Sequence, residues 1–190
     1  MKKILIGIFL FVLCGITTTA TAQRVGIKTN LLGWGTASPN LGMEIGLGKK
    51  STLDVYGSGN PFRFGDGKQW KHWFVQPEYR FWPCEPFHGH FYGLHLIGGE
   101  YNIGNVKLPF GLYSNTRETR YEGWGVGGGI SYGYQWLLSR HWSLEGVIGV
   151  GYIYSRFEKY PCATCGKLLD SGSKNYFGPT KAAVNLIYLF

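Results

Sequence analysis

Charge is scarce in this chain. Charged residues make up 16% of the 190 positions, against about 25% in an ordinary soluble domain. So few charges, alongside 44% apolar content, exclude a disordered polar chain, which fails to fold because it has too little to bury. Long hydrophobic runs are also missing. Beyond the leader, no apolar stretch approaches the roughly 20 residues a membrane-spanning helix needs. Cysteine is rare, at four residues, so the chain is no disulfide-dense scaffold. What is abundant is glycine, at 30 residues, and aromatic side chains, at 17%. Glycine at this density is costly in helices, whereas aromatics favour strands. The composition therefore points to an all-β fold, and the length to one domain.

The N-terminus has the pattern of an export signal. Lys2 and Lys3 precede an apolar run from Ile4 to Ile16, and Ala20-Thr21-Ala22 offers a cleavage site. Cys14 follows Leu13, which is not the small residue a lipoprotein signal requires. Residues 1–22 are read as a cleaved signal peptide and residues 23–190 as a single domain. Removing Lys2 and Lys3 leaves a formal charge of +6. The positive charge is not gathered into a stripe, so no nucleic-acid partner is expected.

Alternation assigns two faces to each strand. Trp142, Leu144, Ile148, Val150, Tyr152 and Tyr154 share one parity; Ser143, Glu145, Gly149, Gly151 and Ser155 share the other. Trp124 to Leu138 repeats the pattern, with Gly123, Gly125, Gly127 and Gly129 on the second parity. A soluble sandwich would put charges on its outer face, not glycine. An eight-stranded, antiparallel, transmembrane β-barrel of the outer-membrane type explains both faces, with lipid against the apolar one and glycine making room in a narrow lumen. Eight strands are predicted, near Val25–Leu32, Leu41–Gly48, Ser51–Gly59, His72–Trp82, His90–Tyr101, Tyr121–Leu138, Trp142–Ser155 and Thr180–Phe190. Short joins alternate with long ones, as in barrels with short periplasmic turns and long outer loops. At the C-terminus, Val184, Leu186, Tyr188 and Phe190 alternate like the signal by which such barrels are recognised for insertion.

Two stretches carry a family resemblance: VGIKTNLLGWGTASPNLGMEIGLGKK (Val25–Lys50) and KHWFVQPEYRFWPCEPFHGHFYGLHLIGGEYNIG (Lys71–Gly104). They resemble the uncharacterised small outer-membrane β-barrel proteins of Bacteroidetes, grouped as a domain of unknown function. The resemblance implies an outer-membrane barrel with no assigned activity; some members of the family are encoded near fimbria-like surface proteins.

Parity places Lys28, Arg80 and Lys181 inside, with Glu44, Asp54, Glu78 and Glu145. Buried charges are tolerable only when paired, so a polar plug is expected, with a small ion path as the alternative. His141, Ser143 and Glu145 have the residue types of a hydrolase triad, but two-residue spacing on a strand separates such side chains by about 6.6 Å. Cys84, His88 and His90 are candidate metal ligands read as turn packing, and no cofactor is expected. Cys162 and Cys165 are read as a local disulfide in an oxidising compartment. Gly123–Gly128 matches GxGxxG but lies in a strand, so it fails as a dinucleotide motif.

The expected role is a non-enzymatic surface anchor, binding or assembly module. It presents the 102–120 and 158–176 loops, with Tyr113, Arg117, Arg120, Lys159 and Lys167 as candidate contacts. Expected partners are outer-membrane lipid, the barrel-insertion machinery and a surface filament or matrix protein. A lipid-modifying barrel enzyme and a narrow channel are the alternatives.

Overall fold

A computed structural model describes residues 25–62, 69–104, 119–161 and 167–190. The alternating segments form eight strands: β1 (Val25–Asn30), β2 (Asn40–Gly46), β3 (Ser51–Asn60), β4 (Gln69–Phe81), β5 (Gly89–Gly104), β6 (Arg120–Leu137), β7 (Trp142–Tyr160) and β8 (Asp170–Leu189). Each is antiparallel to its sequence neighbours, and β1 pairs with β8 to complete a closed barrel. The chain is thus all-β, with eight antiparallel strands in a ring. The β2–β3, β4–β5 and β6–β7 connections are short and share one end with the C-terminus. The longer connections share the other.

Several strand boundaries differ from the sequence expectation, most consequentially at β1 and at β7–β8. β1 stops at Asn30 rather than Leu32, and a short helix α1 (Leu31–Gly35) follows. Asn30 caps this helix by accepting the Leu32 N–H at 3.0 Å. At the other end, β7 and β8 pair as far as Lys159↔Asp170, so most of the expected 158–176 loop is strand. Hydrophobic alternation fades there because the outer face turns polar, yet the backbone ladder needs no apolar side chains to continue.

The outward parity changes character sharply with height. Trp73, Glu100, Trp124, Arg156 and Ser173 are successive register partners around β4–β8. The next outward row towards the long-connection end holds Lys71, Asn102, Glu122, Glu158 and Ser171. On the other side of the Trp73 row, down to the short turns, the outward residues of β4–β8 include no Asp, Glu, Lys or Arg. They include Leu96, Ile130 and Ile148, which are 66%, 60% and 68% exposed.

The lumen is shut at the short-turn end by apolar side chains. Trp82, Phe91, Val147 and Ala183 form one buried cluster, and Phe87, Ile187 and Leu189 another. The Trp82 ring lies 4.8 Å from Phe91 and 6.2 Å from Phe87. Phe87 turns inward from the β4–β5 connection through a left-handed backbone, φ 66°. Glycine on the inward parity does more than make space. Gly129 and Gly151 face each other, and a Cβ on Gly129 would lie 2.3 Å from the Val150 carbonyl oxygen and 2.8 Å from Gly151 Cα. The two strands approach here as only glycine permits.

Candidate functional site

Three carboxylates stand side by side across the lumen wall. Glu44, Asp54 and Glu78 are direct register partners on β2, β3 and β4, and His95 on β5 continues the row. Like charges directly opposite one another repel. The row exists because cations from both sides reach across it. Arg80, two residues along β4 from Glu78 and so on the same face, is the centre. Its guanidinium donates to Glu44 at 2.8 Å, Glu78 at 2.7 Å and Glu145 at 2.6 Å, and pairs with Asp54 at 2.9 Å. Lys28 from β1 lies 2.5 Å from Glu44, 3.3 Å from Glu145 and 3.4 Å from Asp54. Lys181 from β8 donates to Glu78 at 2.7 Å. The structure thus brings together all seven expected lumen residues, and all are buried.

Other contacts complete the centre. Thr52 donates to Glu44 at 2.5 Å, and Asn185 to Glu145 at 2.6 Å. The Arg80 guanidinium lies over the Phe91 ring, 4.3 Å from its centroid, joining the ionic layer to the apolar floor beneath it. His95 Nε2 meets Thr180 Oγ1 at 2.8 Å. Thr52 and Asn185 are inward by the same parity as their charged neighbours, so alternation points to them. Phe87 lies on a turn, where parity has no meaning.

The arrangement is chemically closed. Three cations and four carboxylates hold one another beneath the lumen surface, above an apolar floor. His141, Ser143 and Glu145 do not assemble as a triad. His141 Nδ1 bonds the Leu189 carbonyl at 3.0 Å, and Glu145 is taken up by Arg80, Lys28 and Asn185. Cys84 is an exposed free thiol. His90 instead meets the Tyr132 hydroxyl at 2.6 Å. Among the described residues, no group of His, Cys, Asp and Glu is placed to hold a metal ion.

The long-connection end is open. A cavity of about 1460 Å³ sits there. Its inward layer comprises Asn60, His72, Tyr101, Gly123, Phe157 and Gly172, successive register partners from β3 to β8. Of the expected contact residues, Arg120 begins β6 and Lys159 lies within β7, so both sit on strands rather than in loops. Arg120 pairs with Glu122 at 3.1 Å and lies over the Tyr160 ring at 4.7 Å. Glu158 accepts the Tyr160 hydroxyl at 2.6 Å and holds that phenol above its usual range. Lys159 Nζ is 5.9 Å from the Tyr121 ring. Lys167 is exposed just before β8. Tyr113, Arg117, Cys162 and Cys165 lie outside the described residues, as does the leader.

At the C-terminus, Val184, Leu186 and Tyr188 alternate on β8. The Tyr188 ring packs 5.2 Å from Trp142 and 5.0 Å from Phe190.

A family model described as "Protein of unknown function (DUF3575)" matches residues 8–190. No curated protein matches the chain.

Proposed function

The chain belongs to the DUF3575 family, and from that premise we propose that it is a non-enzymatic outer-membrane β-barrel of the Bacteroidetes type. It is a sealed anchor whose long-connection end faces outside the cell. The observation that carries this reading is the uncharged outward belt. Trp124 and Trp136 bound it on β6. They are twelve steps apart, or about 40 Å along the strand at ~3.3 Å each. At a tilt of about 45° that is ~28 Å of height, against ~25 Å for the apolar band of an outer-membrane barrel. Charge returns in the row of Glu100 and Arg156, where Trp73 donates to Glu100 at 3.0 Å, as suits an aromatic at a membrane–water boundary.

On this reading residues 1–22 are a cleaved export signal, and the outward row ending in Tyr188 and Phe190 addresses the insertion machinery. Lipid surrounds the belt. The short-turn end, with Cys84, is periplasmic. The ionic layer and the Trp82–Phe91 floor close the lumen, which disfavours a channel. The outer rim is left as the working surface, towards a surface filament or matrix component.

Thiol labelling tests the topology. With Cys162 and Cys165 replaced by Ser, a membrane-impermeant maleimide should label Ser171→Cys on intact cells. It should reach Cys84 only after the outer membrane is permeabilised. Labelling of Cys84 on intact cells, or recovery of the mature chain in the soluble fraction, overturns the proposal.

A further inference from the structure

Above the ionic layer, the inner wall of β3 and β4 carries a ladder of rings. Trp70 and His72 have centroids 6.1 Å apart, His72 and Phe74 6.0 Å, and Phe74 and Tyr56 5.8 Å. The upper rung, His72, lines the open 1460 Å³ cavity. The lower rungs, Phe74 and Tyr56, line a second cavity of about 210 Å³ against β8. The ladder therefore runs from the rim down to the top of the plug.

Both cavities contain buried polar atoms without a hydrogen-bond partner. Asn60 Nδ2 is at the mouth; Gln76 Nε2 and Asn185 Oδ1 are at the foot. Asn60, Gln76 and Asn185 are 2%, 3% and 2% exposed. A buried amide without a partner is costly, and all three of these groups are neutral amides rather than charges. Opposite the ladder the cavity wall alternates rings with glycine: Tyr101 on β5, Gly123 on β6, Phe157 on β7 and Gly172 on β8.

We propose that this cup binds a short saccharide chain. A pyranose ring has apolar C–H faces that lie on aromatic rings and a hydroxyl edge that pairs with amides. A linear oligosaccharide repeats both features along its length, as the ladder and its flanking amides do. An acyl chain would use the rings but leave the amides unpaired, and a free ion would leave the rings unused. The inference rests on the outward orientation proposed above and names what the outer rim receives.

The test uses the full mature chain folded in detergent. Maltohexaose, cellohexaose, chitohexaose and laminarihexaose are titrated by calorimetry and by tryptophan fluorescence. At least one should bind with one-to-one stoichiometry. Phe74→Ala and His72→Ala should each weaken it by at least about tenfold. Gly172→Leu should abolish it while keeping the heat-modifiable gel migration of a folded barrel. Gly172 lines the cavity, and a Cβ there first meets the far end of the Phe157 ring, Cζ at 3.1 Å, which can swing aside while the leucine fills the cup. The inference is overturned if the folded chain binds none of the four sugars, or if binding survives Gly172→Leu and Phe74→Ala unchanged. Thiol labelling at Ser171→Cys reads the orientation separately, so a cup that faces outward but takes no sugar removes this inference alone.

Discussion

Replacing Arg80 with Met removes the centre of the ionic layer. In the native chain, Lys28, Arg80 and Lys181 face Glu44, Asp54, Glu78 and Glu145, a formal surplus of one negative charge. Without Arg80, two lysines face four carboxylates, and three of those carboxylates are register neighbours. Removing one partner of a buried ion pair costs about 3–5 kcal/mol, because the other is left uncompensated. Arg80 contacts all four acids at 2.6–2.9 Å, so the loss belongs at the upper end of that range. With a urea m-value of about 2 kcal/mol/M, the unfolding midpoint should fall by roughly 2–2.5 M. Tryptophan fluorescence and heat-modifiable migration of the vesicle-inserted protein give that midpoint. Arg80→Lys should be intermediate, since an ammonium keeps the charge but cannot fork to four acids. Glu145→Gln should cost far less in the Arg80→Met background than in the native one, because it removes an acid that has lost its nearest cation and keeps only Lys28, at 3.3 Å. A midpoint shift below about 0.3 M for Arg80→Met, or equal costs for Glu145→Gln in both backgrounds, would refute the reasoning.

Ile130→Lys, on the outward belt, should destabilise the vesicle-inserted protein by about 2–4 kcal/mol if lipid covers that face; a change within about 0.5 kcal/mol, as on a watered surface, would speak against lipid. Gly129→Ala should block folding or lower the urea midpoint sharply, since its Cβ would meet the Val150 carbonyl oxygen at 2.3 Å, whereas Gly125→Ala should be near neutral. Phe87→Ala should cost about 3–5 kcal/mol by opening the apolar floor, and planar-bilayer recordings of the native protein should show no steady current. Lys28→Met should speed hydrogen exchange at β1 amides before those of β5 and β6, because β1 has the shortest ladders; uniform acceleration across the ring would contradict this.

Strand number and the inward charges are legible in the sequence because both follow from a period of two. Arg80 is two residues from Glu78, and Lys181 is four from Asn185, so once a face is known its members follow. Which acids stand beside one another is not legible, because cross-strand register depends on turn geometry as well as pattern. The Glu44–Asp54–Glu78 row is therefore visible only in three dimensions. The same is true of Phe87, which reaches the lumen through a turn with φ 66°. The aromatic ladder is a middle case. Trp70, His72 and Phe74 share a parity, but Tyr56 joins them only through the β3–β4 pairing. Glycine is legible as abundance only: Gly125 leaves room where Gly129 permits a backbone contact, and both sit on one parity of one strand.

A buried ionic layer is a poor way to stabilise a core, since apolar residues of similar volume often do as well or better. Its placement points to register instead. β1 pairs with β2 over four residues and with β8 over five, while β6 and β7 pair over eighteen. β1 is thus the strand held by the shortest ladders, and its pairing with β8 is the seam that closes the ring. Lys28 lies on one side of it, and Lys181 and Asn185 on the other, and the acids they hold come from β2, β3, β4 and β7. A slip of one residue at the seam would turn Lys28 outward onto the apolar belt and strip Glu44 and Glu145 of a partner. A purely apolar lumen would tolerate that slip more readily, because one aliphatic residue replaces another at lower cost than a misplaced charge. The charges therefore specify which β1–β8 pairing closes the barrel, and the apolar floor supplies much of the stability that they do not.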